Sequence, residues 1–159
     1  MTPNETTINK FYTAFSDGDA EQMCEYYHPN VQFSDPAFGQ LKGEEVRQMW
    51  KMLIERTKGN LKIDLSQVKA NEHLGSAFWI VKYNFSKTNR KIENSISAKF
   101  LFKDGLIIKH TDDFDIWKWS KQALGIKGFL LGWTGFMQNK IQNQARMNLK
   151  NYSQKKIQI

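Results

Sequence analysis

Cysteine is almost absent from the sequence, which has only Cys24 among its 159 residues. A single cysteine excludes an intramolecular disulfide and any metal site built from a cysteine cluster. Cys24 lies in an apolar helical pattern and is interpreted as a small buried residue. Long apolar runs are also missing, because no stretch approaches the roughly 20 residues of a membrane-spanning helix. Residues 1–10 are polar and lack a signal-peptide core, so we expect a cytoplasmic protein.

Acidic residues are missing from the last part of the chain. All 16 Asp and Glu residues lie at or before Asp115, whereas eight of the 23 Lys and Arg residues follow it. The net charge of +7 therefore resides in a C-terminal segment, and the rest of the chain is nearly neutral. We expect no nucleic-acid binding from such a body. The sequence predicts a domain over residues 1–117 and a basic extension over residues 118–159, packed on the domain or on a partner protomer.

Motifs for metals, phosphates and covalent catalysis are lacking as well. The three histidines, His28, His73 and His110, are scattered without metal-ligand spacing. There is no glycine-rich phosphate loop and no nucleophile elbow. We therefore expect neither a metal nor a cofactor.

The patterns that are present change from helical to extended along the chain. Apolar residues recur at helical spacing in residues 7–15, 20–27 and 44–56. Residues 31–34, 61–66, 79–85, 96–103 and 106–114 read as strands, most of them with alternating apolar and polar residues. The sequences SKTNRK and KDG form the hairpin connections. Helices followed by hairpins indicate an α+β fold, with three N-terminal helices packed on one face of a curved sheet.

The last predicted strand runs into the sequence HTDDFDIWKW at residues 110–119. In a strand, residues two apart share a face, and we expect the more apolar of the two sets to face inwards. This inner set is Leu106, Ile108, His110, Asp112 and Phe114. His110 and Asp112 are candidates for acid/base catalysis. The alternative is a structural pair that satisfies its own hydrogen bonds. Asp113 and Asp115 are interpreted as solvated or capping residues, with Asp115 as the N-cap of a helix over 116–123.

Asp35 is the other candidate catalytic carboxylate. It follows a short strand and precedes Pro36, so it is either a turn residue or a general base. If this strand end lies beside His110 and Asp112, the three residues converge on an aromatic cavity, as a cofactor-free proton-transfer site requires. The side chains predicted to line a ligand pocket there are aromatic; they are Phe11, Tyr12, Phe15, Trp50, Trp79, Tyr83 and Phe100.

Two long segments carry a resemblance to a known family. INKFYTAFSDGDAEQMCEYYHPNVQFSDPAFGQLKGEEVRQMWKML and FLFKDGLIIKHTDDFDIW resemble the SnoaL-like, ketosteroid-isomerase-like group of the nuclear transport factor 2 superfamily. The resemblance implies a cone-shaped (cystatin-like) fold in which a curved mixed, mainly antiparallel sheet wraps three N-terminal helices. It also implies a pocket for a small hydrophobic molecule and a homodimer through the open sheet face. Function is less determined, because this scaffold hosts many activities and also proteins without catalysis.

The resemblance transfers unevenly to individual residues. Asp35 matches the general base of ketosteroid isomerases, but the positions of their two oxyanion donors are occupied by Phe11 and Ala98, which argues against steroid isomerisation. Asp112 is similar to the catalytic Asp of limonene-epoxide hydrolases, whose partner carboxylate is missing near residues 82–84. His110 and Asp112 are compatible with polyketide cyclases of the SnoaL type.

Two functional hypotheses follow. One is a cofactor-free isomerase, cyclase, dehydratase or epoxide hydrolase that acts on a small hydrophobic substrate through Asp35, His110 and Asp112. The other is a non-catalytic ligand-binding or dimerisation domain with structural His and Asp residues. For the extension, packing on the body or on a partner is preferred over contact with a membrane surface, because four glycines interrupt its apolar stretch.

Overall fold

In a computed structural model, residues 1–157 are described, with side chains through residue 155. The helices and strands follow one another along the chain in the order α1 (Pro3–Ser16), α2 (Ala20–Glu25), β1 (Tyr27–Asp35), β2 (Gly39–Lys42), α3 (Glu44–Thr57), β3 (Lys62–Ala70), β4 (Leu74–Asn84), β5 (Lys91–Lys103), β6 (Leu106–Asp113), α4 (Ile116–Leu124), α5 (Ile126–Leu131) and α6 (Gly135–Ile157). The predicted α+β fold is confirmed.

The six strands form one open mixed sheet in the order β2-β1-β6-β5-β4-β3. Strand β1 runs parallel to β6, and the other neighbours are antiparallel. Strand β5 shows strict alternation of buried and exposed residues over its 13 positions, as expected when one sheet face covers a core and the other faces water. The curved sheet wraps the three N-terminal helices, whose apolar faces fill the cone.

Several predicted boundaries are wrong. Helix α1 begins at Pro3 because Thr2 and Glu5 form a capping box, in which each side chain accepts the other residue's backbone N–H. Helix α2 ends at Glu25, so Tyr27 belongs to β1 and not to the helix. Residues 39–42, which none of the predicted strands included, form the short edge strand β2.

A β-bulge in β6 changes the predicted faces of that strand. The pairing with β5 shifts between Leu101 and Phe102, so that Ile107 and Lys109 oppose consecutive residues. Ile107 is therefore fully buried, whereas Ile108 is only partly buried, and their predicted orientations are wrong. Beyond the bulge the prediction holds: His110 and Asp112 are buried and Asp113 is exposed.

The extension folds as three helices after Asp115, which caps α4 by accepting from the backbone N–H groups of Trp117 and Lys118. Helix α4 buries Trp119 and Ala123 against the sheet. Helix α6 lies along α3 and buries Leu149 in the main core. None of the helices in the described residues has the length and apolar character needed to cross a membrane.

Candidate functional site

The parallel pairing of β1 with β6 brings the three predicted catalytic residues together. Phe33 lies opposite His110, and Ser34 lies opposite Thr111. The next step along both strands places Asp35 beside Asp112, and alternation turns both side chains to the inner face with Phe33 and His110. Two strand ends far apart in sequence therefore supply two carboxyl groups and one imidazole to a single place.

A chain of buried hydrogen bonds supports Asp112. The indole Nε1 of Trp50 donates to the hydroxyl of Tyr27 at 2.8 Å, and this hydroxyl lies 2.7 Å from Nδ1 of His110. On the other side of the imidazole, Nε2 lies 2.9 Å from Oδ1 of Asp112. When the Tyr27 hydroxyl donates to Nδ1, the imidazole hydrogen lies on Nε2 and every proton of the chain has an acceptor. In this tautomer Nε2 of His110 donates to Oδ1 of Asp112.

His110 has no solvent exposure and is enclosed by aromatic rings. Trp50 stacks on the imidazole with ring centroids 6.0 Å apart and an interplanar angle of 21°. The other rings around it are those of Phe11, Tyr27, Phe33 and Phe100. Both ring nitrogens are engaged within the protein, so His110 is a positioning residue that fixes the orientation of Asp112.

Asp35 combines a turn role with an unusual pKa. Its Oδ1 accepts from the backbone N–H of Ala37 at 2.9 Å and of Phe38 at 2.6 Å, which is the turn geometry expected for an Asp before Pro. Burial raises the pKa of Asp35 to about 7, the two backbone donors oppose this shift, and the negative charge of Asp112 adds to it. A carboxyl with this pKa exchanges its proton at neutral pH.

The seven residues predicted to line a ligand pocket are placed differently from one another. Six of them are buried in the core, where their rings pack edge-to-face or tilted against each other; these are Phe11, Tyr12, Phe15, Trp50, Trp79 and Phe100. Tyr83 lies nearer the open end of the sheet and is only partly buried. None of the seven lines the surface groove at Asp35 and Asp112 or the smaller cavity beside β2, and their contact with a ligand stays a prediction.

Two buried polar groups lack hydrogen-bond partners in this aromatic interior. The Tyr12 hydroxyl and the Trp79 indole Nε1 make no hydrogen bond of acceptable geometry, although their rings lie 5.3 Å apart. Burial, together with the nearby charge of Asp112, raises the pKa of Tyr12 well above its ordinary value, and the neighbouring indole N–H of Trp79 opposes this shift. An unpartnered buried donor costs about 1–3 kcal/mol, so a ligand oxygen that accepted from either group would relieve that cost.

A surface groove of about 600 Å³ reaches the two carboxyl-bearing strand ends. Most of its lining belongs to the outer face of the sheet and is polar: Ser34, Ser97, Lys99, Thr111 and Asp113. Asp35, Pro36 and Asp112 complete the lining where β1 and β6 end. Within the described residues, no cluster of three His, Cys, Asp or Glu side chains offers a metal site.

The C-terminal extension closes the site from the open end of the cone. Trp119 of α4 donates its indole N–H to the hydroxyl of Tyr83 at 2.9 Å. Helix α6 holds the turn that follows Asp35: Gln142 donates to the Pro36 carbonyl at 3.1 Å, and Arg146 donates to the Phe38 carbonyl at 2.8 Å. The turn that positions Asp35 is therefore fixed by residues more than 100 positions later.

Sequence reasoning missed Tyr27, which links Trp50 to His110. The helical spacing around it placed Tyr27 at the end of α2, and its hydroxyl could equally have faced solvent. The one usable signal is Pro29, because the residue before a proline is pushed out of helical geometry. That signal ended the helix but gave no partner for the hydroxyl.

The family is decided by a match to the family model described as SnoaL-like domain, which covers residues 8–110. The chain belongs to the SnoaL-like domain family. The matched range begins within α1 and includes the turn carrying Asp35 and β6 as far as His110, but not Asp112 or the extension. No curated protein is similar enough in sequence to count as a match.

Solved structures share the fold of this SnoaL-like protein at low sequence identity. Bal32a from a soil-derived mobile gene cassette is 21% identical with a TM-score of 0.67, covering 76% of this chain and 96% of that one. TerC, co-crystallised with polyporic acid, is 17% identical with a TM-score of 0.62, covering 72% and 92%. An LEH-like epoxide hydrolase of M. tuberculosis is 15% identical with a TM-score of 0.59, covering 80% and 92%. These likenesses establish the cone fold.

Proposed function

We propose that this SnoaL-like protein is a cofactor-free acid/base enzyme that moves a proton on a small, largely apolar carbonyl compound. The observation that carries the proposal is the placement of Asp35 beside Asp112 at the ends of β1 and β6, where both line one groove; burial and the Asp112 charge raise the pKa of Asp35 to about 7. A base with a pKa near the working pH accepts a proton readily and releases it readily. Asp35 is partly exposed, whereas Asp112 is buried, so Asp35 is the group that meets the substrate.

Asp112 and His110 act on Asp35 and not on the substrate. The Asp112 charge raises the pKa of Asp35, and the 2.9 Å contact with His110 holds the Asp112 carboxylate in place. The Tyr27 hydroxyl fixes the imidazole from the other side. In such a pair, the different environments of two neighbouring carboxyl groups shift their pKa values apart, so that one carboxyl exchanges a proton while the other stays ionised.

Hydrogen-bond donors for a substrate oxygen are supplied by Tyr12 and Trp79. Both are buried and have no partner other than each other, and Tyr12 lies close enough to Asp112 for that charge to affect its pKa. They take the place of the oxyanion donors that are missing at Phe11 and Ala98. Preorganised donors of this kind stabilise the negative charge that forms on a carbonyl oxygen when the adjacent carbon loses a proton.

Proton abstraction is tested by exchange of deuterium from D₂O into the methyl group of acetophenone, followed by loss of its proton NMR signal. We expect exchange faster than in buffer, with a rate that rises as Asp35 ionises around neutral pH. The variant Asp35→Asn abolishes the enhancement. The matched control is Asp64→Asn, which removes an exposed carboxylate from β3, outside the groove. Equal exchange rates for Asp35→Asn and the wild type would contradict the proposal.

A second candidate is a non-catalytic binding or dimerisation domain, favoured by the dense packing of the aromatic interior. In that case His110 and Asp112 serve only to satisfy buried polar groups. The two functions differ in the effect of Tyr12→Phe, which removes an unpartnered hydroxyl and no hydrogen bond. The enzyme proposal predicts lower exchange activity with unchanged or higher stability, whereas the binding-domain alternative predicts no exchange in any variant.

A further inference from the structure

The segment from α4 to the first turn of α6 exposes an unusual number of large apolar side chains. Phe136 is 75% exposed and Trp133 is 64% exposed. We name the whole set the apolar ridge; its members are Trp117, Ile126, Phe129, Leu130, Leu131, Trp133 and Phe136. Contiguous exposed apolar surface of this kind marks a contact site for a protein or a membrane.

The packing of α5 on α4 explains why the ridge faces solvent. Gly128 is buried, and a Cβ added to it would collide with the backbone carbonyl of Ser120. A Cβ on Gly132 would lie 2.7 Å from the Ser120 Cβ. Helix α5 therefore turns its glycine side towards the protein and its apolar side chains outwards, which is the reverse of an ordinary surface helix.

Two indole groups hold the ridge in shape. Trp117 donates its Nε1 hydrogen to the carbonyl of Phe129 at 3.2 Å, and Trp133 donates to the carbonyl of Leu130 at 3.1 Å. The rings of Trp117 and Phe129 also lie 6.5 Å apart. These contacts hold the ridge in place. None of its members lines the groove at Asp35 or the smaller cavity beside β2.

Basic residues border the ridge without acidic neighbours along the chain. The Lys121 ammonium lies 4.2 Å from the centre of the Trp117 ring. Lys118, Lys127 and Lys140 are exposed, and residues 116–159 contain no Asp or Glu. The nearest acidic residue in the sequence, Asp115, is engaged as the cap of α4.

We infer that the apolar ridge and its lysines dock this protein on an anionic lipid surface. Tryptophan, phenylalanine and leucine enter the boundary between headgroups and acyl chains, while lysines remain at the level of the anionic headgroups. A second copy of the chain fits less well, because pairing two ridges would bring two sets of uncompensated lysines together. An anionic membrane satisfies both the apolar and the charged part of the surface.

The docking surface is tested by co-sedimentation of the full chain with vesicles of phosphatidylcholine containing phosphatidylserine, and with vesicles of phosphatidylcholine alone. We expect binding to the anionic vesicles that weakens with added salt. The double variant Phe129→Ser/Phe136→Ser lowers the partition coefficient by about a hundredfold, since burial of each large apolar side chain contributes about a factor of ten. Lys127→Glu/Lys140→Glu lowers it on anionic vesicles only.

The matched control removes two exposed leucines of the sheet, away from the ridge. Leu74 and Leu101 pair across β4 and β5 and are 55% and 39% exposed, so Leu74→Ser/Leu101→Ser is expected to bind vesicles like the wild type. Far-ultraviolet circular dichroism confirms folding of every variant. The inference is overturned if the wild type does not sediment with anionic vesicles, or if the leucine control loses as much binding as the phenylalanine variant.

A contact between two copies would give a different result. Sedimentation velocity would then show a concentration-dependent dimer that disappears in Phe129→Ser/Phe136→Ser, without binding of the wild type to vesicles. That outcome also overturns the inference. Neither result depends on the acid/base proposal, because all of the substituted residues lie outside the Asp35 site.

Discussion

Replacing Asp35 by Asn should stabilise the folded protein at neutral and alkaline pH. The amide oxygen of Asn keeps an acceptor for the backbone N–H groups of Ala37 and Phe38, which Oδ1 of Asp35 now serves. The substitution removes the charge that burial and Asp112 oppose. It therefore imitates the protonated carboxyl permanently, with almost no change in shape.

The size of the effect follows from the pKa. Burial raises the pKa of Asp35 from its ordinary value of 3.8 to about 7, and each unit corresponds to about 1.4 kcal/mol. The full shift would therefore cost the ionised folded state about 4 kcal/mol. Because the side chain is partly exposed and solvent screens its charge, we expect a gain of about 2 kcal/mol for Asp35→Asn above pH about 8.

The direction of the pH dependence is also fixed. The folded state binds the Asp35 proton more tightly than the unfolded state, so this group's contribution is fully present below pH about 4. It is lost as the pH rises through about 7. The difference between Asp35→Asn and the wild type should therefore vanish in acid and reach its maximum in mild alkali.

Urea unfolding of both proteins over this pH range measures the difference directly. Asp113→Asn serves as the control, because Asp113 is an exposed carboxylate at the end of the adjacent strand, and its stability curve should run parallel to that of the wild type. A loss of stability in Asp35→Asn at alkaline pH would refute the reasoning. A difference that did not change with pH would refute it as well.

Two further substitutions test the framework of the site and the extension. Tyr27→Phe should lower the free energy of unfolding by about 2–3 kcal/mol, since it leaves the Trp50 indole and a His110 ring nitrogen buried without a partner. Urea unfolding measures this difference. An unchanged free energy of unfolding would contradict the chain of hydrogen bonds through Tyr27. Gly128→Ala should lower the melting temperature, because the added Cβ collides with the backbone of α4. Gly135→Ala, whose Cβ meets no atom within 4 Å, should leave the melting temperature unchanged or raise it. Equal melting temperatures for the two variants would contradict the close packing of α5 on α4.

The parts of the site that the sequence predicted depend on local periodicity. Two-residue alternation placed His110 and Asp112 on the inner face, and capping chemistry identified Asp115 as the start of α4. Both inferences need only a few neighbouring residues. The resemblance to SnoaL-like proteins added the cone and the position of Asp35 at its open end, which periodicity alone does not give.

The parts that could not be predicted depend on distant contacts. The bulge that buries Ile107 is a property of the pairing between β5 and β6, and no residue within β6 specifies it. The role of Tyr27 requires knowing that Trp50 and His110 approach from a helix and a strand far apart in the chain. Side-chain hydrogen bonds over such separations are set by tertiary packing, which a single sequence does not encode locally.

For the extension, charge and composition did not predict its contacts with the candidate site. Its lysines and glycines suggested an appendage, yet Arg146 and Gln142 hold the turn that carries Asp35, and Trp119 holds Tyr83 at the open end. Burial is the largest cause of the raised pKa of Asp35, and the turn's conformation determines that burial. The residues that hold the Asp35 turn therefore include a part of the chain beyond the SnoaL-like match at residues 8–110. The same extension carries the apolar ridge, so one segment both holds the turn of the candidate site and forms the proposed membrane-docking surface.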